Sequence, residues 1–261
     1  MGHIRLGRLP RTVRWNRVVA ALGNRPGQEG VDDVAELTLI AASGALQSAA
    51  SEPGCYRPLA ALSELCVAAR DEHTFSEQLD RLGVSGPERE DGLRLLQALD
   101  DTVFAAHPGE PETVLSEIAR RAYRETLYTI VRVRSEGLWE IAPADIQRTL
   151  RGLSTEAGYR DLARTWFARF IGRSLQYFLD RELSNHVGGA AVGNSAVALE
   201  LERSMLAYAT ERTRIMADFA PAWLSKTLWE EGGLPEAKVK RFFGYAIQKV
   251  LRDVAAESRN L

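Results

Sequence analysis

The sequence predicts an all-α protein, a globular bundle of about nine to eleven helices with an acidic N-terminal half and an aromatic-rich C-terminal half. Three observations carry that expectation. Apolar residues recur every three or four positions along most of the chain, the spacing that lines one face of a helix. Sustained apolar/polar alternation, the mark of a half-buried strand, is almost absent. The one β-branched stretch, residues 127 to 133, has no second strand to pair with and continues a helical pattern begun at Val114.

At 261 residues the chain has room for one large core or two small ones. With 45% apolar and 26% charged residues it has the balance of an ordinary folded domain, not of a disordered or membrane-embedded chain. The longest uncharged stretches, residues 37–51 and 184–199, fall short of the ~20 apolar residues that span a bilayer, so no membrane insertion is expected. The apolar run at 18–22 is too short for a signal-peptide core, and Leu6 stands where the myristoylation pattern after Gly2 needs Ser or Thr. Cys55 and Cys66 read as small buried hydrophobes and not as a disulfide framework, which suits a reducing compartment. Arginine outnumbers lysine 29 to 4, a bias that points to a GC-rich bacterial genome. The expected location is cytoplasmic.

The net charge of −2 hides unequal blocks. Residues 1–25 hold six arginines and no acid, residues 26–118 hold 18 acids and 5 arginines, and residues 119–181 hold 12 arginines and 7 acids. Of the 20 aromatic residues, 16 lie after residue 119. These asymmetries divide the chain into a basic arm with a short helix (1–25), an acidic helical subdomain (26–107) and an aromatic-rich helical subdomain (112–261), with the break at the turn-forming residues 107–111.

Element by element, Trp15, Val18, Val19 and Leu22 form the stripe of a first short helix, capped by Thr12 and stopped by Gly23. Asp32 or Asp33 opens a second helix carrying Val34, Leu37, Ala41 and Ala45, which Pro53 and Gly54 close. Leu59, Leu62, Cys66 and Ala69 line a third, helical from about Pro58. Thr74 with Glu77, and Ser85 with Glu88, have capping-box spacing, a hydroxyl and a carboxylate placed for the orphan amides of a helix start. Leu93, Leu96, Leu99 and Val103 are the expected buried face of the second of these helices.

Leu115, Ile118 and Ala122 lead into the 127–133 stretch, and Pro143 and Gly152 bracket a short helix. A long helix over 155–187 carries Tyr159, Leu162, Trp166, Phe170, Phe178 and Leu183. After the glycine-rich residues 188–193, another long helix over 195–219 ends in a kink or restart at Pro221. Val239, Phe242, Phe243, Ala246, Ile247, Val250, Leu251 and Val254 then form the clearest amphipathic stripe, with Lys238, Lys240, Arg241, Lys249 and Arg252 outside it.

Residue types that carry chemistry are scattered. Residues 188–195 fit a phosphate-binding loop except at Asn194, where lysine belongs, and the stretch before them reads as helix where that loop needs a strand, so the expected role is a helix connection. His3, His73, His107 and His186 have no metal-ligand spacing, and the adjacent pairs Asp32-Asp33, Asp71-Glu72 and Asp100-Asp101 diverge around a helix, so neither a metal site nor a cofactor is expected.

Arg5, Arg8, Arg11, Arg14 and Arg17 recur every third position without a compensating acid, a pattern suited to docking on an acidic protein surface or on nucleic-acid phosphates. Arg169 and Arg173 are four apart and emerge on one helix face, where they repel unless an anion or a carboxylate stands between them. The expected function is therefore a non-catalytic helical interaction or adaptor subunit of a bacterial cytoplasmic assembly, with a protein partner or a second copy of the chain ranked first. Nucleic-acid association through the arginine arm and the 164–181 face is the alternative. A small-ligand or catalytic pocket lined by Trp166, Tyr177, His186 and Trp223 is the second alternative.

Overall fold

The first helix of the computed structural model, α1 (Val13–Gly23), starts where Thr12 Oγ1 accepts the amide of Trp15 at 3.4 Å. The structure describes residues 12–23, 28–84, 86–104, 113–134, 141–186 and 195–257. Among them every regular element is helical. The others are α2 (Gln28–Ala49), α3 (Pro53–Ala68), α4 (Glu72–Arg81), the single turn α5 (Gly86–Arg89), α6 (Gly92–Phe104), α7 (Val114–Arg134), α8 (Pro143–Leu153), α9 (Glu156–His186), α10 (Ser195–Arg212), α11 (Met216–Glu231) and α12 (Glu236–Glu257), with a short 3-10 turn (Thr213–Ile215) between α10 and α11.

Several boundaries differ from the sequence expectation, each for a local reason. The second helix opens at Gln28, ahead of Asp32, because a glycine at position 30 costs a helix only about 1 kcal/mol. Pro53 starts α3 and does not close α2: at the first position of a helix its missing amide is no loss. Thr74 is not the cap of α4. Asp71 takes that role, accepting from the Thr74 amide at 2.9 Å and its hydroxyl at 3.0 Å. Asp91 does the same for α6 through the Arg94 amide at 2.9 Å. Ser85 lies outside the described residues.

The register of α6 is set by Gly92, which is pressed against the backbone of Ile141. Leu95, Leu96 and Leu99 therefore turn inward, and Leu93, expected in the core, is 58% exposed. Pro221 sits inside α11, and the break expected there falls upstream, in the 3-10 turn. The β-branched 127–133 stretch is helical and ends α7, with Leu127 and Val131 buried.

The fold is organised around α9. Tyr159, Leu162, Ala163, Trp166, Phe167, Phe170, Ile171, Leu175, Phe178 and Leu179 are all buried and cover most of its circumference. A helix apolar nearly all round belongs at the centre of a bundle, and α7, α8, α10 and α11 pack around it. All eight expected core residues of α12 are buried. Its Phe243 meets Trp166 edge-on at 5.8 Å, while Phe242 stacks on Trp223 at 4.1 Å. Because α12 also packs on α2 and α3, apolar residues from both the 26–107 and the 112–261 segments share one core.

Candidate docking surface

The residues of the expected pocket are placed differently. Trp166 is fully buried, stacked on Phe170 at 5.3 Å. Trp223 is half-buried between Tyr159 and Phe242. Tyr177 faces outward to an open groove of about 280 Å³ shared with Val114, Arg121 and Arg173. The side chain of His186, and the glycine-rich residues 188–193, lie outside the described residues. The structure thus places the two tryptophans in the aromatic core and Tyr177 on a different surface.

Arg169 and Arg173 do face one carboxylate, and it belongs to the chain itself. Glu125 of α7 pairs directly with the Arg173 guanidinium and lies 3.7 Å from Arg169 Nε, while Arg169 also donates to Thr129 Oγ1 at 2.8 Å. Burial, with a smaller push from Arg173, pulls the Arg169 guanidinium below its usual pKa, and Glu125 opposes that shift. α7 supplies this carboxylate because α7 and α9 lie side by side.

Arg5, Arg8 and Arg11 are outside the described residues. Arg14 lies over α2, its guanidinium within 3.5 Å of the Ile40 carbonyl and 3.4 Å of the Ser43 hydroxyl, and Arg17 is exposed. Arg14 thereby forms one wall of a groove of about 320 Å³ between α1, α2 and α12, floored by Leu39, Ile40, Leu251 and Val254. A second groove, of about 260 Å³, runs along the other side of α12, between Ile215 and Tyr245. Gln248 and Arg252 line both, so they form the ridge that divides them.

This arrangement follows from the α12 sequence. Its apolar stripe is turned into the core, so the cationic residues at 241, 249 and 252 must stand on the outside. Lys238 is held by Glu230 and Glu231 at 3.2 and 2.9 Å, whereas Lys249 and Arg252 have no ion-pair partner among the described residues. Tyr245 is 50% exposed, with its ring edge-on to Phe219 at 5.0 Å. Tyr245 falls outside the expected apolar stripe, and its place four residues before Lys249 and four after Arg241 is the sequence signal that puts it on the outer face. Trp229 on α11, at 87% exposure, is the other large side chain left in solvent on this hairpin.

Among the described residues no group of three or more His, Cys, Asp or Glu side chains is arranged to hold a metal ion, and no helix is long and apolar enough to cross a membrane. Cys55 and Cys66 are both buried and are not joined in a disulfide, and burial pushes the Cys55 thiol far above its usual range. No family model, curated protein or solved structure matches the chain.

Proposed function

We propose that this chain is a non-catalytic interaction or adaptor subunit of a bacterial cytoplasmic assembly, docking through its arginine-rich N-terminal arm and charged helix faces. The observation that supports this reading is the α12 ridge: two apolar-floored grooves rimmed by Arg14, Lys249 and Arg252. Apolar floor with cationic rim is the composition that holds an acidic protein surface, since the floor contributes buried area and the rim selects charge. Arg169 and Arg173, by contrast, are engaged with Glu125, which weakens the case for a nucleic-acid face over 164–181.

The test replaces Arg5, Arg8 and Arg11 with Ser in the full chain. Arginines that serve a partner and not the fold contribute at most about 1 kcal/mol each to stability, so on this reading the melting temperature should hold. The protein that accompanies the wild-type chain through gentle purification, identified by mass spectrometry, should be lost or bound about tenfold more weakly by the variant. A large loss of stability with association intact would mean that the arm packs on its own acidic segment and would end the reading. Wild-type protein that carries only nucleic acid, with affinity falling steeply with salt, would replace it with the nucleic-acid alternative.

A further inference from the structure

We propose that two copies of this chain dock head to tail, the exposed Leu93 of α6 on one copy, with the carboxylates around it, seating on the α12 grooves of the next. The inference rests on the docking reading and names its occupant.

Leu93 is a large apolar side chain in an acidic setting. Glu90, Asp91 and Asp101 are exposed on the same stretch, and Leu93, Gln97 and Asp101 follow one another at four-residue spacing along one side of α6. One cation, Arg94, is interspersed. The α12 grooves have the inverse composition: Arg14, Lys249 and Arg252 with one acid, Asp253, around an apolar floor. The majority charges of the two surfaces are opposite, and so are the minority ones. Grooves of about 320 and 260 Å³ are each several times the ~30 Å³ share of a water molecule, room enough for a leucine side chain.

The chain cannot make this contact with itself. α6 packs on α5, α7 and α8, whereas α12 packs on α2, α3, α10 and α11. Knob and groove are different surfaces, so the contact is heterologous and repeats from copy to copy, producing a closed ring or an open chain and not a two-fold dimer. A nucleic acid fits less well, since it asks for a continuous cationic track, and three cations with Asp253 among them do not make one.

The experiment is sedimentation of the full chain over a concentration series, with two double variants: Leu93→Ser with Asp101→Ser, and Lys249→Ser with Arg252→Ser. All four side chains are exposed or half-exposed, so unchanged melting temperatures will confirm that both variants fold. Wild type should associate as concentration rises, about tenfold more weakly when salt goes from ~50 to ~300 mM, because the Debye length shrinks from ~14 to ~6 Å, toward contact distance. Each variant alone should be monomeric. Mixed one to one they should form a dimer and nothing larger, since one intact knob meets one intact groove and the remaining ends are blunt.

A wild-type chain that stays monomeric at low salt, or a mixture that restores nothing, overturns the proposal. If that monomer still carries a stoichiometric protein partner lost with the arm substitutions, the docking reading survives and only the second copy is wrong. Duplex DNA bound by wild type and lost in the Lys249/Arg252 variant would assign the grooves to nucleic acid instead.

Discussion

Gly158, in the first turn of α9, lies against Gly152, in the last turn of α8, so tightly that a Cβ on Gly158 would overlap the Gly152 carbonyl oxygen and stand 2.6 Å from the Cα of Leu153. The corner is held from other sides as well. Thr155 Oγ1 accepts the Gly158 amide at 3.1 Å, and Arg70, in the turn after α3, donates to Ser154 Oγ at 2.9 Å and also to the Ser154 carbonyl. The central helix therefore enters the bundle at an angle that only glycine permits.

Gly158→Ala should destabilise the protein by about 1–3 kcal/mol, the usual cost of overfilling a packed site, although alanine is the better helix former. Gly44 in α2 is the control. It has nothing within 4 Å of its missing Cβ, so Gly44→Ala should stabilise by about 0.5–1 kcal/mol. Urea unfolding of both variants checks the opposite signs; two changes of the same sign would mean that the α8–α9 corner is wrongly described.

Glu125→Gln should leave two guanidinium groups facing each other across the α7–α9 contact. The cost should be about 2 kcal/mol, typical of losing a charge-assisted hydrogen bond at a partly buried site, while Arg121→Ser, which breaks an exposed pair with Glu117, should change stability by less than about 1 kcal/mol. Sulfate should raise the melting temperature of Glu125→Gln more than that of wild type, by supplying negative charge beside the two guanidinium groups. Equal responses to sulfate would show that the carboxylate does not neutralise Arg169 and Arg173.

Glu64 supplies a pH signature. Burial raises its carboxyl pKa, and the Glu236 carboxylate raises it further. Its folded pKa therefore exceeds the unfolded value of about 4.3, and between the two the folded state binds more protons. Stability conferred by this group falls as pH rises through that window, and the destabilisation is complete above the folded pKa. Glu64→Gln should consequently be more stable than wild type at neutral pH, with the difference vanishing below pH ~3, where the wild-type carboxyl is protonated in both states. Unfolding midpoints of the two proteins across pH provide the comparison, and a difference that grows toward acid would refute the assignment.

Much of this architecture was legible in the residues because helical burial is periodic. The α12 stripe could be written down in full, from Val239 to Val254, since every position three or four apart was unambiguously apolar. The β-branched end of α7 reads as helix for want of a strand partner. Legibility failed where the register depended on something distant in sequence. Leu93 and Leu95 are equally apolar, and only the approach of Ile141 to Gly92 decides which of them is buried. Likewise Thr74 and Asp71 are both good caps by chemistry, and the backbone chose the carboxylate.

The candidate surface divides the same way. That Lys249 and Arg252 face outward follows from their own helix, but that Arg14 stands across a groove from Arg252 depends on α1 lying over α2 beside α12.

By itself, then, the sequence determined the helical class, most of the helices and the inner face of α12, because hydrophobic periodicity and capping act over one or two turns and need no distant partner. Tertiary structure alone decided which charge meets which, as with Glu125 between Arg169 and Arg173, and which apolar residues are left over, as with Leu93, Tyr245 and Trp229. Those outcomes depend on how helices far apart in the chain are brought side by side, and burial of apolar area is non-directional: it rewards many pairings nearly equally until close contacts such as Gly158 on Gly152 select one.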